Sequence, residues 1–578
     1  MTKSAKNLFF LATVFIIALT SIQPLSAQIK VGDGVISGDF SLNGMFYRPD
    51  SLIGAEEVDS KVRANSWLNL QYTNSGFTVG ARYEFYSFPL IDFEKIGYKG
   101  QGLTYYFADY KNDFIQVTAG TFYEQFGQGF ALRAYEDRQL GIDNSLLGMR
   151  VKATPYKGVY LKGVWGIMRN NFDFNYANRK DYIRGLDAEI ALADMIPAIG
   201  NSGVTASLGG SFVSKFEQSI DDIYFTIFPD SNMTSAFIPS KNIPQNIATW
   251  ATRLNLGYKG FRLEAEYANK ANDPNNSNNY IYKNGEAFFL SGTYSMKGLG
   301  VAASFIRSDN MDYRSQRAIS TNSLLGINYI PAINRQYSYQ LLSDYAYASL
   351  PNGQIGFQAQ INYLIPKKTK IGGKYGTDIT LSYCRFHDID RVIDATAEIN
   401  GTIMGTLGYS SPFFKFGEDL LYQDAGIEIS RKFDKRWKLV LSYNYLNYNL
   451  ELLQGHGDLV KAHHAGFDLT CKINKKHALR LESQYLFTKQ DKGNYAYAML
   501  EYSISPRWFF SIGDQWNYGN PNPEMRLHYY NVAASFVYGT TRVSLNFGKV
   551  KEGMLCIGGV CRAVPASYGL GLNIMTTF

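Results

Sequence analysis

Alternation of apolar and polar residues along short segments is the feature that most constrains the fold of this chain. Residues 261–267 read FRLEAEY and residues 542–547 read RVSLNF; residues 437–444 read WKLVLSYN, with Val440 as the one exception. Side chains two positions apart share a face of a β-strand, so each segment predicts a strand with one apolar and one polar face. A soluble β-sandwich and a membrane β-barrel both show this pattern.

Hydropathy excludes a polytopic helical membrane protein. The chain of 578 residues is 46% hydrophobic and 15% aromatic, yet its mean hydropathy is only −0.20. After the first thirty residues or so, no uncharged apolar run approaches the ~20 residues that a membrane helix needs. Because a chain this apolar can bury enough surface to fold, disorder is excluded too. Abundant Tyr and Phe with 19% charged residues favour a large secreted β-protein or a membrane β-barrel.

The amino terminus predicts export. Lys3 and Lys6 precede an apolar stretch at 8–19, and Ser26 and Ala27 follow it. This pattern is typical of a secretory signal peptide, and the stretch is too short for a stable helical anchor, the less favoured alternative. We therefore predict a signal peptide at 1–27 and one mature domain at 28–578.

Connections between the predicted strands alternate between short and long. Tight turns are predicted at 74–76, 156–158 and 258–260, and long connections at 49–61, 272–285 and 390–419. Short periplasmic turns and long outer loops are typical of outer-membrane barrels. The sequence therefore favours the membrane barrel over the sandwich.

The last strand supports the same class. Every second residue from Tyr568 to Leu572 and on to Phe578 lies on one face, and the terminal Phe578 completes the alternation. This ending resembles the signal that the barrel-assembly machinery reads in bacterial outer-membrane barrels. We predict an all-β fold, a single large transmembrane antiparallel β-barrel of about 24 strands, with any even number from roughly 14 to 26 open. We expect it in the outer membrane of a Gram-negative bacterium, in contact with its lipid. A lumen this wide needs lumen-folded loops or a plug, or it forms a pore.

The richest polar segment is 123–144, where arginines, carboxylates and glycines follow one another in a predicted long loop. One interpretation is a constriction that selects solutes. The favoured alternative is a structural network that holds a folded-in loop by charge-assisted hydrogen bonds. The lumen or constriction candidates are Glu124, Gln125, Arg133, Tyr135, Glu136, Arg138, Asp143 and Asn144.

A second candidate lumen block lies around 326–339. Pro331 excludes a central strand there, and Arg335 and Tyr337 are further lumen candidates. Aromatic rings beside a guanidinium suit a carbohydrate or peptide site, although aromatic residues are frequent everywhere in this chain.

The loop 217–245 is unusually apolar for an exposed segment, which predicts a surface for an outer-membrane protein partner. Alternatively, it folds inward, or its first part extends a strand above the membrane. The partner-loop candidates are Ile223, Phe225, Phe228 and Phe237.

The four cysteines fall into two kinds. Cys556 and Cys561 bracket a short loop, and in an oxidising compartment such a pair is expected to form a disulfide. A metal site there would need further ligands, and no His lies near in sequence. Cys384 and Cys471 lie alone in strand-like patterns, and we predict no metal.

Several blocks together resemble an uncharacterised bacterial outer-membrane β-barrel family, a domain of unknown function. They read FYEQFG at 122–127, LRAYEDR at 132–138, GIDN at 141–144, NYIPA at 328–332, RQYSY at 335–339 and CIGGVCR at 556–562. The resemblance covers nearly the whole mature chain. It implies an outer-membrane barrel but supplies no activity and no catalytic residues.

Other function classes are disfavoured. His387 beside Asp388 and Asp390 would need a second carboxylate pair to form a barrel protease, so we predict no enzyme, no catalytic residues and no cofactor. The net charge of +7 is spread without a basic run, so nucleic acid is not an expected partner. The short distance from Ala27 to the first strand argues against a TonB-dependent transporter with an amino-terminal plug. Two hypotheses remain: a porin-like channel or facilitator for a small solute, and a non-conducting scaffold of an outer-membrane assembly or secretion complex.

Overall fold

The computed structural model describes residues 29–94, 97, 99–170, 172, 181–218, 224–227, 236–239, 243–317, 326–557 and 560–578. The predicted signal peptide lies outside these residues, as do Ile223 and Phe228 of the apolar loop.

The fold is a closed antiparallel β-barrel of 24 strands, which confirms the predicted class and strand number. Closure occurs where the first barrel strand pairs with the last, with Asp39 opposite Thr577 and Tyr47 opposite Gly569. The barrel strands are β2 (Gly34–Tyr47), β3 (Val62–Asn74), β4 (Phe77–Phe88), β5 (Gly100–Lys111), β6 (Ile115–Phe122), β11 (Leu146–Tyr156), β12 (Val159–Met168), β13 (Tyr182–Ala191), β14 (Val204–Phe216), β17 (Asn246–Tyr258), β18 (Phe261–Lys270), β19 (Gly285–Met296), β20 (Leu299–Asp309), β21 (Gln354–Ile365), β22 (Thr377–Ile389), β25 (Phe416–Lys432), β26 (Trp437–Asn449), β27 (Leu459–Lys472), β28 (His477–Thr488), β29 (Tyr495–Ile504), β30 (Trp508–Trp516), β31 (His528–Tyr538), β32 (Thr541–Val550) and β35 (Ser567–Thr577).

Shorter elements lie at the strand ends and inside the lumen. The short strands are β1 (Ile29–Val31), β7 (Glu124–Phe126), β8 (Leu132–Ala134), β9 (Glu136–Asp137), β10 (Ile142–Asp143), β15 (Tyr224–Ile227), β16 (Ala236–Pro239), β23 (Val392–Ile393), β24 (Tyr409–Ser410), β33 (Gly553–Ile557) and β34 (Val560–Val564). The helices are α1 (Ile91–Glu94), α2 (Leu192–Met195), α3 (Pro197–Asn201), α4 (Ala395–Asn400) and α5 (Leu450–Gln454), with 3-10 turns at Ser51–Ile53, Asn276–Asn278, Gln340–Tyr345 and Pro523–Met525. Among the described residues, no helix has the length and apolar character needed to cross a membrane.

The wall shows the predicted alternation. In β13 the side chain of Leu186 is 67% exposed on the outside, while its neighbour Asp187 is 4% exposed on the inside. The outer face carries similarly exposed apolar residues on many strands, including Leu208, Trp250 and Ile512. Because the sheet is closed, no barrel strand has an unpaired edge in contact with lipid. The apolar side chains of the outer face match the hydrocarbon around them.

Short turns lie at one end of the barrel and long connections at the other. Between β3 and β4, Ser75 and Gly76 both have positive φ, 45° and 88°, as a tight two-residue hairpin turn requires. At the other end, β20 and β21 are separated by residues 310–353. We call this end the long-loop end, and the opposite end the short-turn end.

Segments from the long-loop end fold into the lumen, as predicted. Phe126 and Phe130 of one segment and Leu341 of another are fully buried in a hydrophobic core that also includes wall residues such as Ile247 and Val460. The barrel therefore encloses a packed core in its long-loop half.

Candidate functional site

A buried ion network fixes the segment 123–145 to the barrel wall. Arg82 of β4 contacts Glu84 at 2.7 Å, Glu136 at 2.9 Å and also Asp143. Arg169, which follows β12, contacts Asp143 at 2.6 Å and Glu84 at 2.9 Å. Both guanidinium groups are almost completely buried. Charges of opposite sign thus alternate across the network, which makes the burial of each of them tolerable.

Asp143 lies at the centre of this network. Burial raises the pKa of its carboxyl, but Arg169 and Arg82 outweigh that effect and lower the pKa to about 2. Tyr123 donates a hydrogen bond to the second oxygen of Asp143 at 3.0 Å. The carboxylate is therefore ionised at any physiological pH.

Arg138 and Glu136 are the more accessible members of the same segment. The Arg138 guanidinium contacts Glu136 at 2.7 Å and lies 4.9 Å from the ring centre of Trp67. Its side chain keeps 30% of its surface exposed. Of the predicted lumen residues, Arg138 is therefore a cation that a solute could contact.

Arg133, Tyr135 and Asn144 join this segment to a second lumen segment, 326–350. The Arg133 guanidinium lies between the rings of Tyr135 and Tyr329, 4.2 and 3.8 Å from their centres. The Asn144 amide donates to the Gly326 carbonyl at 2.7 Å. These contacts link the two segments into one layer.

Glu124 and Gln125 belong to a separate cluster near the wall. Glu124 contacts Lys152 at 2.8 Å and Lys162 at 3.1 Å. Burial alone would raise the pKa of the Glu124 carboxyl. The two lysines together have the larger effect, so the pKa lies below its ordinary value. Gln125 donates to the Gly127 carbonyl at 2.9 Å.

Arg335 and Tyr337 face the lumen on the opposite side of the barrel. Arg335 contacts Glu428 of β25 at 2.9 Å and lies 5.1 Å from the ring centre of Tyr337. Tyr337 stacks on Tyr339 at 6.4 Å. Arg335, Tyr337 and Tyr339 therefore form one cluster, and this cluster lies apart from the Asp143 network.

The strands β33 and β34 form a hairpin that carries the Cys556–Cys561 disulfide. Arg562 contacts Asp92 at 2.7 Å and donates to the Gln139 carbonyl at 2.8 Å. Lys551, just before the hairpin, contacts Asp344 at 2.6 Å. The disulfide hairpin is therefore a third lumen segment, and it touches both of the others.

The disulfide gives a direct chemical prediction. Folded protein should react with a maleimide at neither Cys556 nor Cys561 until a reductant is added, because both sulfurs are bonded. Mass spectrometry of labelled peptides measures this. Labelling of both residues without prior reduction would contradict the disulfide. Cys471, a half-buried free cysteine, and Cys384, a buried one, serve as internal references.

An aromatic and aliphatic septum lies where the disulfide hairpin meets the wall and the segment 123–145. The wall supplies Trp67 and Tyr86, whose rings pack edge to face at 5.6 Å. Helix α1 supplies Phe93. The other buried members are Leu140, Ile142 and Phe172, and Leu90, Tyr135, Leu555, Ile557 and Val560 pack against them.

Two polar cavities lie next to residues of this septum: Met554 and Ala563 of the hairpin line one, and Arg138, which stacks on Trp67, lines the other. The outer cavity, of about 770 Å³, opens among the long loops and is lined by Glu56, Asp344, Asp491, Lys492 and Lys551, among others. The inner cavity, of about 560 Å³, lies towards the short-turn end and is lined by Asp39, Asn69, Gln71, Glu136 and Arg138, among others. The start of β2 lines the inner cavity, and the loop that follows the end of β2 lines the outer one. The two cavities therefore lie at different depths along the barrel axis.

Several residues of this site were not predicted from the sequence. Arg82, Glu84 and Arg169 hold the network, and Trp67 forms the centre of the septum. The sequence did carry one signal for Arg82 and Glu84, since both occupy the polar face of an alternating strand. Apart from each other, their ion-pair partners are Glu136, Asp143 and Arg169, which lie more than 50 residues away, and nothing local indicates these pairings.

The remaining sequence candidates do not form a site within the described residues. Strands β15 and β16 form a hairpin that pairs Phe225 with Ile238, and Phe237 with Thr226, in the apolar loop. Neighbouring residues of a strand point to opposite faces, so the adjacent His463, which is exposed, and His464, which is buried, do not form a metal-binding pair. Among the described residues, no group of three or more His, Cys, Asp or Glu side chains could hold a metal ion.

Solved structures that resemble the chain are large barrels with low sequence identity. The siderophore receptor PirA from Pseudomonas aeruginosa is 9% identical, with 94% of this chain and 80% of that chain covered and a TM-score of 0.41. OccAB3 from Acinetobacter baumannii is 9% identical, with 95% and 100% covered and a TM-score of 0.32. The P pilus usher (PapC) translocation pore is 9% identical, with 94% and 99% covered and a TM-score of 0.36. Among curated proteins, none matches the sequence.

Location and family follow from the whole chain. The closed barrel, its apolar outer wall and its short-turn and long-loop ends are the features of a lipid-embedded barrel of a Gram-negative outer membrane. A family model matches residues 5–578. The chain therefore belongs to the family of unknown function DUF6029.

Proposed function

We propose that this outer-membrane barrel is a gated facilitator for a small polar solute. The path runs from the outer cavity to the inner cavity, and the septum around Trp67 closes it at rest. The observation that carries the proposal is that two polar cavities lie at different depths and that one apolar cluster adjoins residues of both.

The disulfide hairpin is the element that moves in this proposal. It supplies Leu555, Ile557 and Val560 to the septum. Polar contacts of Arg562 also hold the hairpin: the guanidinium pairs with Asp92 and donates a hydrogen bond to the Gln139 carbonyl. Both side chains of this ion pair are mostly buried, with 11% and 19% of their surface exposed. Displacement of the hairpin breaks these contacts and its packing in the septum, but it leaves the β32–β35 backbone ladder of the wall intact and so costs less than unfolding of the wall.

The lining of both cavities restricts the class of solute. The outer cavity carries acidic and basic side chains together, such as Asp491 and Lys492. The inner cavity combines amides with Glu136 and Arg138. A lining of mixed sign offers hydrogen bonds without a strong net field, which suits neutral or zwitterionic polar solutes better than polyanions or polycations.

Planar-bilayer recording tests this proposal. Wild-type protein should conduct only in rare brief openings, because the septum is closed. Arg562→Ala should raise the open probability about tenfold, since loss of one charge-assisted contact network shifts the equilibrium by about 1.4 kcal/mol. Arg526→Ala removes a long-loop arginine that bonds only the Asn520 carbonyl among the described residues, and it serves as the control.

Selectivity provides a second measurement. Arg138→Ala should shift the open-state permeability ratio towards cations, because it removes an accessible positive charge from the inner cavity. If Arg562→Ala stays closed and Arg138→Ala changes nothing in any open state, the facilitator proposal fails. The non-conducting scaffold, which the packed core in the long-loop half also supports, would then take its place.

A further inference from the structure

We infer that the outer wall around Arg48 and Lys549 is a specific binding site for a phosphorylated lipid of the outer leaflet. The site lies outside the lumen, and it is independent of the proposed gated passage. It combines a cationic and tyrosine cluster at the membrane boundary with an apolar groove beneath it.

The cluster spans four neighbouring strand ends. Lys549 of β32 is paired with Tyr568 of β35, and the Arg48 backbone N–H donates to the Tyr568 carbonyl at 2.8 Å. The Arg48 guanidinium lies 5.6 Å from the Tyr568 ring centre, and the Lys549 amine lies 5.6 Å from the ring centres of both Tyr568 and Tyr530. Two cations and two tyrosines therefore meet on one patch.

Alternation along the strands places this patch on the outside. Leu570 and Val532, two positions from Tyr568 and Tyr530, are 43% and 45% exposed on the lipid-facing wall. Tyr47, the neighbour of Arg48, is buried on the inside. Because Arg48 follows the end of β2 and Lys549 is the penultimate residue of β32, the patch lies at the long-loop boundary of the membrane. This is the level at which lipid headgroups lie.

The patch has an excess of positive charge. Asp50 contacts Lys549 at 2.7 Å and neutralises one cation. Within the described part of the chain, the Arg48 guanidinium has only the Tyr568 ring as a side-chain partner, and no carboxylate. The Tyr530 hydroxyl donates to the Tyr568 hydroxyl at 3.2 Å, which leaves the Tyr568 proton available to an acceptor outside the protein. An arginine with a nearby amine and a hydroxyl donor suits a phosphate group.

An apolar groove of about 400 Å³ continues from the cluster towards the middle of the membrane. Phe547, Leu570 and Val532 line it, and each lies two positions below a member of the cluster. Small side chains such as Ala534 form part of its lining, with Ile512 on a neighbouring strand. Because the groove opens to the lipid phase, an acyl chain fits it, and the same lipid would present its phosphate to Arg48. The alignment of groove and cations is the reason to infer one lipid rather than a free anion.

Native mass spectrometry of the purified barrel in detergent tests the site, with lipid A as the added lipid. Wild-type protein should retain one lipid A, and the Arg48→Ala/Lys549→Ala double variant should bind it about tenfold more weakly. Ala534→Phe, which fills the groove without a change of charge, should also weaken binding. Lys461→Ala/Lys489→Ala removes two exposed lysines near the long-loop ends of β27 and β28, away from the groove, and should bind like wild type.

Two further arms separate the outcomes. Dephosphorylated lipid A should bind as weakly to wild type as lipid A binds to the double variant. Inorganic phosphate at millimolar concentration should not displace lipid A, since it gains nothing from the groove. Equal loss in the Lys461 control, an unchanged affinity in the Arg48 and Lys549 variant, or full displacement by inorganic phosphate would overturn the inference. Heat-modifiable migration of each variant on a gel confirms that the barrel is folded.

Discussion

Arg82→Ala is expected to release the segment 123–145 from the wall and to produce a lasting conductance. Three carboxylates, Glu84, Glu136 and Asp143, share Arg82, and its removal leaves them with only Arg169 and Arg138. Loss of one partner from a buried ion network costs about 3–5 kcal/mol. Because the wall keeps its backbone ladder, this cost falls mainly on the segment inside the lumen.

Limited proteolysis and bilayer recording measure this effect together. Cleavage within 123–145 should become at least tenfold faster, and the conductance should persist instead of flickering. Arg253→Ala is the control, because Arg253 is similarly buried but pairs with Asp187 and Glu189 on the wall alone. A closed, protease-resistant Arg82→Ala protein that still migrates as a folded barrel would show that the network does not hold the segment.

The network should also resist mild acid. The folded-state pKa of Asp143 is depressed to about 2, below the value of about 3.9 in an unfolded chain. Its contribution to stability is therefore fully present above about pH 4 and is lost only as the pH falls through about 2. Wild-type protein at pH 4.5 should stay as closed as at pH 7.

Trp67→Ala is expected to join the two cavities. Trp67 is 2% exposed, packs in the cluster that includes Phe93 and Leu555, and stacks on Arg138, which lines the inner cavity. Truncation of a buried tryptophan costs about 3–5 kcal/mol and leaves a cavity where the surroundings do not collapse. The expected readout is a steady conductance and an increased rate of uptake of a small polar solute into liposomes.

Trp437→Ala provides the comparison for this prediction. Trp437 lies on the lipid-facing wall and is 40% exposed, so its truncation does not touch the septum. Uptake by this variant should equal that of wild type. If both tryptophan variants remain closed while Arg82→Ala conducts, the path follows the segment 123–145 and not the septum.

Local sequence patterns were enough to predict much of the barrel. Segments such as 261–267 alternate with period two, and turns such as 74–76 carry the residues that tight hairpins need. These are local properties of the backbone and of a wall that faces lipid on one side, so they predicted about 24 strands, within a range of even numbers from roughly 14 to 26. The disulfide of Cys556 and Cys561 was equally local, since only four residues separate the two cysteines.

Only part of the candidate site could be predicted from the sequence. The charged segment 123–144 was recognised as a lumen element, but the sequence did not indicate that Arg133 would lie between two tyrosines while Arg138 stays exposed. Arg335 and Tyr337 were predicted as a second lumen block, but the sequence did not indicate that Arg335 would pair with Glu428 on the wall, away from the Asp143 network. Which lumen residues contact which wall residues depends on how the closed sheet arranges its strands around the lumen, and no short stretch of sequence carries that information.

By itself, the sequence determined the class of this protein: a barrel with an alternating, lipid-facing wall and long loops at one end. The tertiary structure alone decided how those loops share the lumen. Arg82 and Arg169 meet Asp143, and Trp67 meets Leu555, only because the barrel brings residues tens to hundreds of positions apart to the same depth. The physical reason is that alternation is a local consequence of strand geometry, whereas ion pairing and packing inside the lumen depend on which strands face each other across it.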